Sequence, residues 1–208
     1  MRIKKQIQPK GKPKIAVIVD GETEFWYLQM LKRNEKLIKV DIKPEIPQRK
    51  KLSDQFLKVI ELSNDYDMVH WIIDLDTVLS ESLQAKKEVE SPIDLLSKYK
   101  KTIEDKHNNI VVVINQPCLE FWFLNHFVTT AKEFANCNEV GKQLTKHFTD
   151  YAKTEKFFVK QDNDIYKKLR PKLGEAIAKS RKMSAFDKTN PYKGLTEMYK
   201  LFDSLGLV

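Results

Sequence analysis

The chain has 208 residues with 41% hydrophobic, 32% charged and 10% aromatic content, which suits one sizeable α/β domain and excludes wholesale disorder. A formal net charge of +8 and a pI of about 9.2 favour an anionic partner, although acids interspersed among the lysines weaken that inference. Cys118 and Cys137 form no Cys-x-x-Cys, so neither a disulfide framework nor a cysteine-rich zinc site is indicated and a reducing cytoplasm fits; the apolar runs at 15–19 and 110–114 are too short to span a bilayer.

Residues 1–13, with Pro9, Gly11 and Pro13 among lysines, read as a flexible basic arm ahead of the fold. A first strand is expected at 14–19, and the turn at Gly21 then opens a helix over 22–33, where Phe25, Leu28 and Leu31 have helical spacing. The segment 40–46 alternates as a strand, and Pro44 confines it to a sheet edge. A helix at 53–63 with a Ser53 cap precedes a buried strand at 68–73. Residues 80–105 are mostly helical by propensity, broken at Ser91-Pro92, where Ser caps and Pro takes the first helical position. A third apolar strand at 110–114 leads to Pro117, which starts a helix rich in large residues. This alternation predicts a mostly parallel sheet covered on both faces. From about Val140 the strands stop, and helical patterns follow near 140–151, 163–183 and 191–205, packed on the same domain because no Gly- or Ser-rich linker intervenes.

Ligands of a parallel sheet sit outside the carboxyl ends of its strands, and Asp20, Asp74 and Asp76 all fall where an apolar strand gives way to a loop. In an extended segment residues i and i+2 project to one side, so Asp74 and Asp76 face one point. Carboxylates meeting there repel unless a cation neutralises them, and magnesium, an oxygen-seeking ion commonly held by few carboxylates and substrate phosphate, is the natural candidate, with manganese as a substitute. Glu22 reads as a first-turn acid complementing the helix dipole, Glu24 fits that role or a functional one, and Glu120, one turn beyond Pro117, brings a further carboxylate to the same edge or merely stabilises its helix. The four histidines share no ligand spacing, His126 reads as a packed core residue, and the aromatic triplets at 25–27 and 121–123 read as core. No Walker loop, Gly-x-Ser-x-Gly or Gly-x-Gly-x-x-Gly occurs.

The ordered blocks Val19-Asp20-Gly21-Glu22-Thr23-Glu24, Ile73-Asp74-Leu75-Asp76 and Asn115-Gln116-Pro117-Cys118-Leu119-Glu120-Phe121-Trp122, the last running on to His126-Phe127, resemble the RloB-like proteins. Tyr151-Ala152-Lys153, the helix around Ala176 and an Asn190-Pro191 opening of the final helix look similar too, so the resemblance spans nearly the whole chain. It implies a Toprim/Rossmann-like α/β core at 14–130, a mostly parallel sheet flanked by helices, with a helical C-terminal extension at 131–208. It also implies a magnesium site at Asp20, Asp74 and Asp76, catalytic duty for Asp20, Glu24 and Glu120, and a phosphate contact at Lys153. One departure stands out: Glu usually precedes this Gly, and Asp20 is one methylene shorter, enough to move a ligand or base by about an ångström, a displacement able to cost roughly a hundredfold in rate.

The resemblance further implies a place in bacterial restriction and phage defence, with nucleic acid as substrate and an ATPase as a possible partner protein. The leading expectation is therefore a cytoplasmic, magnesium-dependent phosphodiesterase, most plausibly a nuclease. The alternatives are a catalytically degenerate scaffold that binds nucleic acid or the ATPase, and a haloacid-dehalogenase-like phosphatase in which Asp74 is the nucleophile and Asp76 the acid/base.

Overall fold

The computed structural model describes residues 13–36, 41–46, 51–86, 90–130 and 132–207, so the expected arm lies, Pro13 apart, outside the described residues. The elements run β1 (Lys14–Ile18), α1 (Glu22–Asn34), β2 (Asp41–Glu45), α2 (Leu52–Leu62), β3 (Met68–Asp74), α3 (Leu75–Gln84), α4 (Pro92–Lys106), β4 (Ile110–Gln116) and α5 (Leu119–Asn125). The remainder forms α6 (Cys137–Leu144), α7 (Glu155–Phe158), α8 (Ile165–Leu169), a 3-10 turn at Arg170–Lys172, α9 (Leu173–Arg181), β5 (Leu195–Thr196) and α10 (Tyr199–Leu205).

The five strands make one sheet in the order β2-β1-β3-β4-β5, in which the first four are mutually parallel and β5 is antiparallel to β4. Pro44, which has no N–H to give a second neighbour, sits on edge strand β2, as the sequence requires. From β1 the chain moves outward to β2 and then returns to β3 on the other side, so the winding reverses between β1 and β3. The carboxyl ends of those two strands therefore flank a crevice, the usual ligand position in such sheets.

Strand periodicity decides what covers each face. Ile15, Val17 and Val19 pack with Tyr27 and Leu31 of α1, Trp122 and Phe123 of α5, and Tyr166 and Phe202 from the C-terminal helices. Ala16 and Ile18 turn to the other layer, where Val59, Leu79, Leu96 and Ile103 come from α2, α3 and α4. Both aromatic triplets belong to the first of these layers, with Phe25 and Trp26 at its margin, and Trp122 Nε1 donates to Tyr27 Oη at 3.0 Å. His126 is likewise a core residue, its Nδ1 lying 2.9 Å from the Trp122 carbonyl oxygen. Among the described residues no helix is long and apolar enough to cross a membrane.

Several expectations change. Ser53 is not a cap: α2 begins at buried Leu52, because the stripe Leu52, Val59 and Leu62 fixes its start against the sheet. Helix α3 begins at Leu75 rather than near Ser80, and α5 at Leu119 rather than Pro117, with Cys118 preceding it in an extended conformation. Strands do not stop at Val140, since Leu195 and Thr196 pair with Gln116 and Asn115. The expected helix at 163–183 is divided where Pro171, unable to donate a backbone hydrogen bond, sits in the 3-10 turn. Helix α6 starts at Cys137 because the Asn136 side chain accepts from Glu139 N at 3.2 Å, and it ends at Leu144 rather than 151. Asn190-Pro191 opens a turn ahead of β5, and the final helix begins only at Tyr199. The reading that no disulfide is indicated is also corrected: Cys118 and Cys137, 19 residues apart, form one, because the turn after β4 and the start of α6 are brought face to face. Ser91 behaves as expected, its Oγ accepting from Asp94 N at 3.3 Å with Pro92 in the first turn of α4.

Candidate metal centre

Strand β1 ends at Ile18, and Val19 N still bonds to Glu45 O of the edge strand at 3.0 Å, so Asp20 is delivered at the lip of the crevice. Its Oδ1 accepts from Gln55 Nε2 at 3.0 Å, while Gln55 Oε1 accepts from buried Trp71 Nε1 at 2.8 Å. A chain of two hydrogen bonds thus ties Asp20 to the sheet core.

Gly21 caps α1 in an extended conformation. A Cβ built there would lie 3.0 Å from Glu24 Oε2, so the missing side chain leaves room for Glu24 to turn back towards the crevice. Glu24 is only 4% exposed. Burial, then the charges of Glu120 and Asp20, push its carboxyl up to about 7, against the partly compensating backbone and Asp74 hydrogen bonds.

Asp74 closes β3 and is the cap residue of α3, while Asp76 lies in the first turn of that helix. The i, i+2 argument from an extended segment therefore does not hold, and it is the strand-to-helix junction that places both acids at the crevice. Burial, followed by the charges of Glu24, Glu120 and Asp76, raises the Asp74 carboxyl well above its ordinary range even though the Leu119 amide hydrogen-bonds it. Asp76 is held differently, its amide donating to Pro117 O at 3.0 Å and its Oδ2 accepting from Cys137 N at 3.3 Å.

Glu120 is fully buried behind the crevice wall. Its Oε1 accepts from Tyr151 Oη at 3.0 Å and pairs with Lys153 Nζ at 2.6 Å, and its Oε2 stands 2.8 Å from Cys137 Sγ, which carries no proton in the disulfide. Burial alone would lower the Lys153 ammonium, but Glu120, Asp74 and Glu24 outweigh it and hold the group above its usual value. The Tyr151 hydroxyl is pushed up by burial and by Glu120.

Asp20, Glu24, Asp74, Asp76 and Lys153 line one open cleft of about 220 Å³, together with Gly21, Thr23, Thr77, Cys118 and Cys137. The sequence-predicted residues thus meet at one place, with Glu120 directly behind. They do not meet at a single point. Among the described residues, the sets of three donor atoms lying within 4.8 Å of one another are Asp74, Cys118 and Glu120, and Asp76, Cys118 and Cys137. Asp20 and Glu24 belong to neither.

Sequence reasoning missed three contributors. Asn115 pairs in register with Asp74, offers Nδ2 to Asp74 Oδ1 at 3.5 Å and is oriented by Thr196 Oγ1, which donates to Asn115 Oδ1 at 2.8 Å; a polar residue closing an apolar strand was its signal. Gln55 interrupts the inward stripe Leu52, Val59 and Leu62 of α2, a polar side chain at a core position. The cysteine pair had no local signal.

Carboxylates lining one open cleft, two of them with pKa values raised first by burial and then by their mutual repulsion, form a donor set suited to a hard divalent cation. No curated protein and no solved structure matches the chain. The model of the RloB-like protein family matches residues 15–205, nearly the whole chain, which therefore belongs to that family.

Proposed function

We propose that this protein is a magnesium-dependent phosphodiesterase, a nuclease of the Toprim kind serving phage defence. The observation that carries the reading is the convergence of Asp20, Glu24, Asp74 and Asp76 on one cleft from two strand ends that are far apart in sequence. Asp74 and Asp76 would hold the ion, with Asp20 as a further ligand or base; bound there, magnesium supplies Lewis-acid stabilisation of phosphate charge and lowers the pKa of a water.

The chain's own groups divide the remaining work. Glu24, whose carboxyl is held up to about 7 in the metal-free chain, would give up that proton as the ion binds and stand beside it as a further carboxylate. Lys153, 45% exposed at its side chain and lining the cleft, offers its ammonium to a phosphate oxygen, while Glu120, itself fixed by the Tyr151 hydroxyl, holds it in place. A wider groove of about 460 Å³, lined by Asp76, Thr77, Asn136 and Tyr192 among others, adjoins the cleft through Asp76 and Thr77 and gives flanking nucleotides room. The net charge of +8 suits a polyanion, whose binding then weakens steeply with salt.

The test is cleavage of single- and double-stranded DNA and RNA with magnesium or manganese, by the wild type and by Asp74→Ala/Asp76→Ala. Cleavage that needs the metal and disappears in the double variant is expected. Tight nucleic-acid or ATPase binding, indifferent to magnesium and to the substitutions, would replace catalysis by a binding role.

A further inference from the structure

The second donor cluster of the cleft contains two sulfurs, and nothing in the magnesium reading uses them. We propose that, once their disulfide is reduced, Cys118 and Cys137 join Asp76 to bind a zinc-class cation beside the carboxylate site. This goes beyond the proposed phosphodiesterase activity and does not depend on it.

Three observations carry it. The donor atoms of Asp76, Cys118 and Cys137 already lie within 4.8 Å of one another, at the wall of an open cleft. The Cys137 amide donates to Asp76 Oδ2 at 3.3 Å, fixing the carboxylate against the sulfur pair, and both cysteines are shielded, at 1% and 8% exposure. Lys153 Nζ stands 3.0 Å from Cys137 Sγ, a cation placed to favour the thiolate that a metal requires, and its ion pair with Glu120 offsets the carboxylate oxygen 2.8 Å from the same sulfur.

The chemistry selects the ion. Two thiolates and one carboxylate make a softer donor set than magnesium accepts, and three protein ligands with a fourth position open to the cleft match a borderline ion such as zinc. Parted to non-bonded contact, two thiolate sulfurs stand about as far apart as they do on one tetrahedral zinc, roughly 3.8 Å for bonds of about 2.3 Å. Reduction by a phosphine converts the disulfide to two thiols as the phosphine takes oxygen from water and becomes its oxide. Zinc binding then releases the two thiol protons to solvent. The disulfide and the metal use the same sulfurs and so exclude one another, which makes occupancy of this corner of the cleft depend on redox state.

The experiment uses the full chain, oxidised and phosphine-reduced, with zinc titrated against a chromogenic chelator and cobalt followed by its sulfur-to-metal charge-transfer absorption. The reduced protein should take up one equivalent of zinc and show the cobalt band, and reoxidation should release the metal. Binding should weaken at least about a hundredfold in Cys118→Ser/Cys137→Ser and about tenfold in Asp76→Asn. The redox comparison needs no substitution, so a variant that fails to fold cannot blur the result. No stoichiometric zinc in the reduced chain, or zinc held equally by the oxidised chain or by a folded double-serine variant, overturns the proposal. Zinc uptake is read without any cleavage assay: a protein without hydrolytic activity can still bear it out, and an active nuclease that ignores zinc when reduced sinks it alone.

Discussion

Helix α1 meets a buried carboxylate at each of its ends, and the two are handled in opposite ways. At its C-terminal end Arg33 Nη2 donates to Asp164 Oδ2 at 2.8 Å and Asn34 Nδ2 donates to the same oxygen at 3.1 Å, while Lys167 N donates to Oδ1 at 3.0 Å as Asp164 caps α8. Burial would raise this carboxyl, but those donors and the Arg33 charge outweigh it and hold Asp164 below its ordinary range. At the N-terminal end Glu24 is buried too, and burial first, then the charges of Glu120 and Asp20, drive its carboxyl up. A satisfied buried carboxylate fastens elements together. An under-compensated one stores repulsion that a cation can relieve, which is why we read the crevice, and not the Asp164 site, as the place of chemistry.

The sharpest way to break the contrast is to remove the central acid. Asp74→Asn should cut magnesium-dependent cleavage by about a thousandfold or more, since a ligand and its charge are lost together. In metal-free protein at pH 8 the same change should raise stability by roughly 1–2 kcal/mol, because the amide no longer repels Glu24, Glu120 and Asp76. Urea unfolding and a nuclease assay on one preparation read both; a loss of stability alongside the loss of activity would mean that the crevice acids are structural. Asp164→Ala should do the reverse, costing about 2–4 kcal/mol through a lost cap and lost charged hydrogen bonds, while leaving the magnesium requirement untouched.

The pH dependence separates the two ends next. Glu24 has a folded-state pKa of about 7 against 4.5 for an unperturbed glutamate, so between those values the folded chain binds the extra proton and metal-free stability falls as pH rises, by roughly 3–4 kcal/mol at about 1.4 kcal/mol per pH unit. Asp164 is depressed, so its contribution is present above the unfolded value and is lost as pH falls through the folded one. Thermal melts from pH 4.5 to 8 without metal should show the decline, and Glu24→Gln should make it shallower, the rest coming from Asp74, whose carboxyl is raised as well. Excess magnesium should flatten it too, because the ion supplies the missing positive charge; a slope unaffected by the substitution would assign the decline to other groups.

How legible this was in the sequence follows from the range of the interactions involved. Strands β1 and β4 and the Trp71-Ile72-Ile73 end of β3 are apolar runs that give way to polar residues, so Asp20 and Asp74 could be placed at the sheet edge from local pattern alone, and the edge position of β2 followed from Pro44. Asp76 reaches the crevice by another route than the i, i+2 spacing of a strand: its junction is set by α3 starting without a loop, which no residue in Asp74-Leu75-Asp76 announces. The pairing of β5 with β4 and the meeting of Cys118 with Cys137 are products of tertiary packing, with no periodicity to read. In the tail the side-chain caps Asn136, Thr154 and Asp164 mark the true starts of α6, α7 and α8 better than hydrophobic spacing, which such short helices barely express.

The smallest expected effect concerns the residue that spans the core and the crevice. Gln55 links Trp71 Nε1 to Asp20 Oδ1, so it should act on the chemistry through Asp20 without touching substrate. Gln55→Leu removes the acceptor of a buried indole N–H, costing about 1–2 kcal/mol, and loosens Asp20, which should lower kcat about tenfold. Gln55→Glu keeps the acceptor for Trp71 but sets a carboxylate against Asp20. If Asp20 serves the metal, the glutamate variant should recover activity as magnesium is raised, since the added charge draws the ion, whereas the leucine variant should show a reduced kcat that magnesium does not restore. Equal magnesium curves for the two variants would confine Gln55 to the core and detach Asp20 from the metal, leaving the cation to Asp74 and its neighbours.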